Sequence, residues 1–192
     1  MNKIPTLAAA VLLTLCMLSS CSMCERKKEA AIDVNAFPVW SPDSIKMVHL
    51  EDSCQYISDP DNFVLPETKD KANRLLRRLE TSVGVQASVV VAGRIKGGNA
   101  QNFAIDLADK YGAGDTKNNR NIVLVIAVED RNWFMTRGAG LQKELPDTLC
   151  LQYGEKHIVP NINKNNPDRA VYETVKAIFN KLKKADDETT IY

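Results

Sequence analysis

The chain has 192 residues, 44% apolar and 26% charged, an ordinary composition for one globular domain. Without Lys3, the one basic residue ahead of Cys21, its 25 Lys and Arg fall to 24 and balance the 24 Asp and Glu. That balance, with no groove-reading or base-stacking motif, argues against a nucleic-acid partner, and the sequence has no internal repeat or low-complexity tract.

Residues 1–20 read as a targeting segment. Lys3 and the terminal amine make a weakly positive start, and Thr6 to Leu18 is apolar, uncharged and too short to span a membrane comfortably. Leu18-Ser19-Ser20-Cys21 resembles the lipobox of bacterial lipoproteins, in which the Cys is diacylated and becomes the new N-terminus. The competing readings are an ordinary cleaved signal or a short anchor. Several acyl chains on Cys21 would anchor stably where one chain would not. The expected mature protein sits on an inner or outer envelope membrane, facing the periplasm or the exterior. Cys21-x-x-Cys24 matches a redox motif only superficially, since lipidation removes Cys21 from thiol chemistry. Cys54 and Cys150 could pair in an oxidising compartment, or serve as small hydrophobes, the reading favoured here. Residues 21–46 read as a flexible tether: Glu25 to Glu29 is nearly all charged, and Pro38 and Pro42 break regular structure. Trp40 could pack on the domain.

The folded domain is expected over residues 47–184. Cys54 to Ile57 reads as a short strand, followed by the turn cluster Ser58-Asp59-Pro60-Asp61-Asn62. Pro66 can open a helix whose stripe is Leu75, Leu76, Leu79 and Val83, stopped by Gly84. Val85 to Ala92 is a β-branched second strand, and Gly93 to Asn99 a loop. Phe103, Ala104, Leu107, Ala108 and Tyr111 make the stripe of a second helix ending at Gly112, and Gly114 to Asn119 is a polar loop. Ile122 to Val128 is a continuous apolar run, the pattern of a strand buried on both faces. Glu129-Asp130-Arg131-Asn132 interrupts it, and Trp133, Met135 and Arg137 alternate with Phe134 and Thr136. Together these predict a hairpin with Asp130 and Arg131 near its tip. Leu145-Pro146-Asp147 begins a third helix carrying Leu149, Leu151 and Tyr153. Asn166-Pro167 opens a last helix striped by Val171, Val175, Ile178, Phe179 and Leu182. Residues 185–192 are expected as a frayed tail.

This order, βαβαββαα, predicts an α/β fold: a mainly parallel four-stranded sheet with an antiparallel fourth strand and helices on both faces. Open sheets of this kind bind ligands beyond the carboxyl ends of their parallel strands. There the sequence places Asp59-Pro60-Asp61, Ala92-Gly93-Arg94 and Glu129-Asp130-Arg131. Asp59, Asp61 and Asp130 could share a cation such as Ca²⁺ or Mg²⁺, with Arg131 or Arg94 holding a phosphate. The plainer reading makes Asp59 and Asp61 turn formers and Asp130 and Arg131 exposed charges at a hairpin tip. The opposite rim holds Asn121 and the Gly138-to-Leu141 loop, and Arg137 is expected to snorkel more than to bind an anion. Asp59-x-Asp61 starts like a calcium loop, but Phe63 occupies the next ligand position. His49 and His157 lack companions at zinc spacing, and no G-x-S-x-G, Walker loop or Cys-His pair is present.

These residues together resemble the TPM domain family, from about Val48 to Lys183. The resemblance is carried by Asp59 before a helix, Val83-Gly84-Val85-Gln86 before strand VVVA, Phe103-Ala104 ahead of Tyr111-Gly112, and Asp130-Arg131. Gly138-x-Gly140-Leu141, Leu145-Pro146-Asp147 and Ile158-Val159-Pro160 continue it. The resemblance implies a compact α/β sandwich, often tethered to envelope membranes. The family includes a thylakoid-lumen acid phosphatase linked to photosystem II repair, members described as binding calcium, and an animal membrane-receptor auxiliary protein. Carried over, it points to Asp59, Asp130 and Arg131 as catalytic positions. The chain departs from the family at Arg120-Asn121, where Asn-Gly is frequent, and at Gln142, where a Glu is frequent. It also has neither the membrane helix nor the Gly-rich tail that follows the domain in many bacterial members, which leaves the lipid as the expected anchor. The expected function is a non-catalytic binding, scaffold or maintenance role toward other envelope proteins; the alternative is divalent-metal-dependent hydrolysis of phosphomonoesters.

Overall fold

A computed structural model of the chain describes residues 37–111 and 118–189. The expected leader, the lipidation position Cys21, Cys24 and the first part of the tether lie outside the described residues. In chain order the strands are β1 (Val39–Trp40), β2 (Ile57–Ser58), β3 (Gln86–Ala92), β4 (Arg94–Ile95), β5 (Asn121–Ala127) and β6 (Asn132–Arg137). The helices are α1 (Pro66–Arg78), α2 (Ala100–Lys110), α3 (Asp147–Tyr153), α4 (Val159–Ile162) and α5 (Pro167–Thr189).

The centre is the parallel pair β3 and β5, in register from Gln86 opposite Asn121 to Ala92 opposite Ala127. Side chains of a strand alternate between faces. Ala87, Val89, Val91, Ile122, Leu124 and Ile126 enter the core that also takes in Leu76 of α1 and Val171, Val175 and Ile178 of α5. Val90, Ala92, Val123, Val125 and Ala127 enter a second core with Phe103, Ala104 and Leu107 of α2. Helices therefore cover both faces, as the unbroken apolar runs predict. The sheet order is β2-β3-β5-β6, with the first three parallel and β6 antiparallel. Apolar residues of α1, α2 and α5 are buried at the expected spacings, and Gly84 caps the end of α1's continuation at φ +68.

Four boundaries differ from the expectation. The first strand is Ile57–Ser58, not Cys54 to Ile57. Tyr56 N donates to the side-chain Oδ1 of buried Asn73, while Tyr56 O accepts from Val89 N at 2.9 Å, so Tyr56 meets the sheet through its carbonyl alone. The third helix is not one straight piece: α3 passes through a π turn at Gly154–Ile158 into α4, and Leu151 is 56% exposed instead of facing the core. Trp133 lies against this π turn, its ring so close to Gly154 that a Cβ there would sit 1.8 Å from it. The last helix continues to Thr189, past the expected end at Lys184, through Lys, Ala, Asp and Glu with no Gly or Pro to stop it. Finally, Phe37 to Lys46, expected in the tether, pack on the domain. Ile45 and Met47 are buried in the α2-side core, and Val39–Trp40 pairs in parallel with Arg94–Ile95.

Arg137 does not snorkel. Its Nε donates to Leu145 O at 2.6 Å, its guanidinium pairs with Asp147 at 2.9 Å, and its side chain is only 10% exposed. It ties the Gly138–Pro146 loop to the start of α3. At the same end of the sheet, Asn119 takes the left-handed turn (φ +48), and Gly138 N donates to Asn121 O at 2.9 Å. A Cβ at Gly138 would lie 2.0 Å from the backbone oxygen of Asn119. Cys54 and Cys150 are free thiols, and burial pushes the Cys150 thiol up to about 11.

Two outcomes follow for stability and reactivity. Gly138→Ala is expected to cost about 2 kcal/mol, because backbone must move to admit the methyl group, with a lower urea midpoint and an unchanged slope. Alkylation requires thiolate. At pH 8 iodoacetamide should therefore label half-buried Cys54 before Cys150, which reacts fully only on unfolding; peptide mass mapping reads the order.

Candidate functional site

Because β2, β3 and β5 are parallel, their carboxyl ends share one edge of the sheet. The loops leaving that edge are laced together. Val128 N donates to Ala92 O at 2.8 Å, and Glu129 N to Gly93 O at 2.9 Å, so the β3 and β5 loops stay joined beyond the strands.

Asp59 is 9% exposed. Its Oδ1 accepts from Phe63 N and its Oδ2 from Val64 N, both at 2.9 Å, and Lys69 Nζ of α1 lies 2.9 Å from Oδ2. The carboxylate closes the turn between β2 and α1, and its charge is met by a lysine one helical turn into α1. Asp61 turns the other way. Its Oδ2 accepts from Gly93 N at 2.8 Å and from Trp40 Nε1 at 2.9 Å. Asp130 Oδ2 accepts from Ile95 N at 2.8 Å, and Arg94 Nε stands 3.8 Å from its Oδ1. Arg131 occupies the hairpin tip with a left-handed backbone (φ +50), and its guanidinium donates to Asn163 Oδ1 at 3.1 Å. Beside it lies a small cleft of about 30 Å³ between the start of β6 and α4, with Trp133, Ile158, Val159 and Ile162 among its walls.

The structure thus brings some of the expected residues together. Asp61 and Asp130 both hold the short stretch Gly93–Ile95, with Arg94 between their attachment points, and Arg131 is next to Asp130. Asp59 serves a different loop. The three carboxylates are not gathered into one group. Both oxygens of Asp59 already accept from backbone N–H groups, and Asp61 and Asp130 each commit an oxygen in the same way. Among the described residues no group of three or more His, Cys, Asp or Glu side chains could hold a metal ion.

Of the strap that lies over the rim, the sequence places only Trp40 on the domain, and Trp40 does pack there. Phe37 packs on Phe63, ring centroids 5.0 Å apart, and a Cβ at Gly93 would lie 3.0 Å from the Phe37 side chain. β1 adds to β4, Trp40 bonds Asp61, and Lys110 Nζ holds the far end by donating to Asp43 Oδ1 at 2.6 Å. Lys110 beside it lowers the exposed Asp43 carboxyl from its ordinary value. The available signal was the run Phe37-Pro38-Val39-Trp40, whose large apolar side chains stand out in an otherwise polar stretch. Asn163 and Lys69 had no signal, since only the fold brings them to Arg131 and Asp59.

A family model of the TPM domain matches residues 57–181. The chain belongs to the TPM domain family. Among solved structures, the N-terminal domain of a P. gingivalis protein is similar, at 26% identity and a TM-score of 0.73, over 78% of this chain and 96% of that one. The BA42 protein of the psychrophilic bacterium Bizionia argentinensis matches at 16% identity and a TM-score of 0.54, over 65% of this chain and 85% of its own. The N-terminal domain of the cg2496 protein of Corynebacterium glutamicum matches at 9% identity and 0.53, over 66% and 78%. The last two likenesses are of fold alone. No curated protein matches the chain. The TPM match begins at β2, so the strap from Phe37 to Lys46 lies outside the matched part of the domain.

Asp61→Ala removes the acceptor for two N–H groups. It should cost about 2 kcal/mol and speed hydrogen exchange across residues 37–47 and at Gly93, while Asp61→Asn, which keeps one acceptor oxygen, should do less. Exchange read by mass spectrometry decides this: unchanged rates in the strap would mean that Asp61 does not hold it.

Proposed function

We propose that this TPM-domain protein is a lipid-anchored component of the cell envelope whose domain acts as a non-catalytic binding or scaffold module for other envelope proteins. The observation that carries this reading is the use made of the rim carboxylates. Asp59, Asp61 and Asp130 accept hydrogen bonds from the backbone of the loops they border, which is the work of loop pins. A rim fixed in this way is a preorganised surface, and preorganisation lowers the ordering cost of binding. Arg131 beside the Trp133–Ile162 cleft gives that surface a charged group next to an apolar notch. Anchoring is supported by Leu18-Ser19-Ser20-Cys21. No helix among the described residues is long and apolar enough to cross a membrane.

The competing reading is a divalent-metal phosphatase in which Asp61 and Asp130, the two carboxylates fixed to the same stretch of chain, share an ion and Arg131 or Arg94 steadies the phosphate. Calorimetric titration with Ca²⁺ and Mg²⁺, beside turnover of p-nitrophenyl phosphate, separates the two. The binding-module reading expects neither heat nor turnover. Binding or turnover that disappears in both Asp61→Ala and Asp130→Ala would overturn it in favour of the phosphatase. For the anchor, palmitate labelling in a bacterial host should be abolished by Cys21→Ser.

A further inference from the structure

At the end of the sheet opposite the rim, a small recess lies between the Met47–His49 segment and the first residues of β3 and β5. Its volume is about 20 Å³, and Met47, His49, Gln86, Ser88, Tyr111 and Asn121 are among its walls. Two polar atoms of these walls are buried with no hydrogen-bond partner: Asn121 Nδ2 and His49 Nδ1. Asn121 is 6% exposed, so its amide cannot turn to bulk solvent. Its Oδ1 lies on the Gly138 side, 2.9 Å from where a Cβ on that glycine would stand.

Buried polar groups in folded proteins are almost always paired, with protein or with ordered water. A water needs at least about 10–15 Å³ and two to four polar partners. This space meets both conditions for one water and is too small for a phosphate or a metabolite. We infer that the cavity is a binding site for a single long-lived water molecule bridging Asn121 Nδ2 and His49 Nδ1. The amide donates to the water oxygen. The water donates to His49 Nδ1, which requires the neutral tautomer with its proton on Nε2. Burial lowers the His49 imidazole from its ordinary value, in keeping with a neutral ring. The Ser88 hydroxyl on the same wall offers a further partner. The water joins the turn at Val48–Leu50 to the central strands, and Val48 N, donating to Ser58 Oγ at 3.2 Å, is a second fastening of the same turn.

The test is nuclear magnetic resonance on the full chain labelled with ¹⁵N. A cross-peak from water to the Asn121 side-chain amide, with the sign of a long-lived complex, is expected, as are His49 nitrogen shifts of the Nε2–H tautomer. In Asn121→Leu, which fills the space with a side chain of similar size, the water contact at His49 should be lost. His49→Leu, at the less buried end of the site, makes the reciprocal test at Asn121 and serves if the first variant does not fold. Absence of the cross-peak in the unaltered chain overturns the site. So does a contact at His49 that persists undiminished in Asn121→Leu.

Discussion

The parallel pairing of β3 with β5 is the constraint from which the other features follow. Seven residues of each strand are matched one to one, and every residue of β5 is buried. A strand with no solvent face needs cover on both sides, which places α2 on one face and α1 and α5 on the other. Parallel pairing also sends both strands toward the same edge. The loops that follow them must meet there, and their backbone groups must find partners without a ladder to supply them.

That demand explains the rim. Beyond the last ladder bonds, the amides of Phe63, Val64, Gly93 and Ile95 need acceptors, and three aspartates provide them. A carboxylate suits this role because it accepts several hydrogen bonds and binds N–H groups more strongly than a neutral oxygen does. The same chemistry makes aspartates attractive as metal ligands, so residue type and position in an α/β fold cannot by themselves separate the two roles. The direction in which each oxygen points separates them. Asp59 turns back into its own loop, and Asp61 and Asp130 turn onto the chain that follows β3.

The legibility of the chain divides along the same physical line. The central strands, the stripes of α1, α2 and α5 and the hairpin tip at Asp130-Arg131 were readable because periodic burial leaves a periodic pattern. Family membership was readable from the order of several short motifs. The missed features are those in which tertiary contacts overrule local pattern. Tyr56 N turns to a side chain 17 residues away, Trp133 lies against Gly154 at the π turn after α3, and Leu151 turns outward although it is apolar. Apart from Trp40, the strap reads as linker because of its Pro residues and charged neighbours, while the partners that hold it, Gly93, Asp61 and Lys110, lie far along the chain.

The strap also sets where force enters the molecule. A force applied at Phe37 itself meets first a two-residue strand and two aromatic side chains, not the long central ladder. The first fastenings to give way would be Phe37 on Phe63 and Trp40 on Asp61. Their release would strip Asp61 of one hydrogen bond and uncover Gly93, while β3 and β5 remained paired. Tension there would therefore reach the rim before the core.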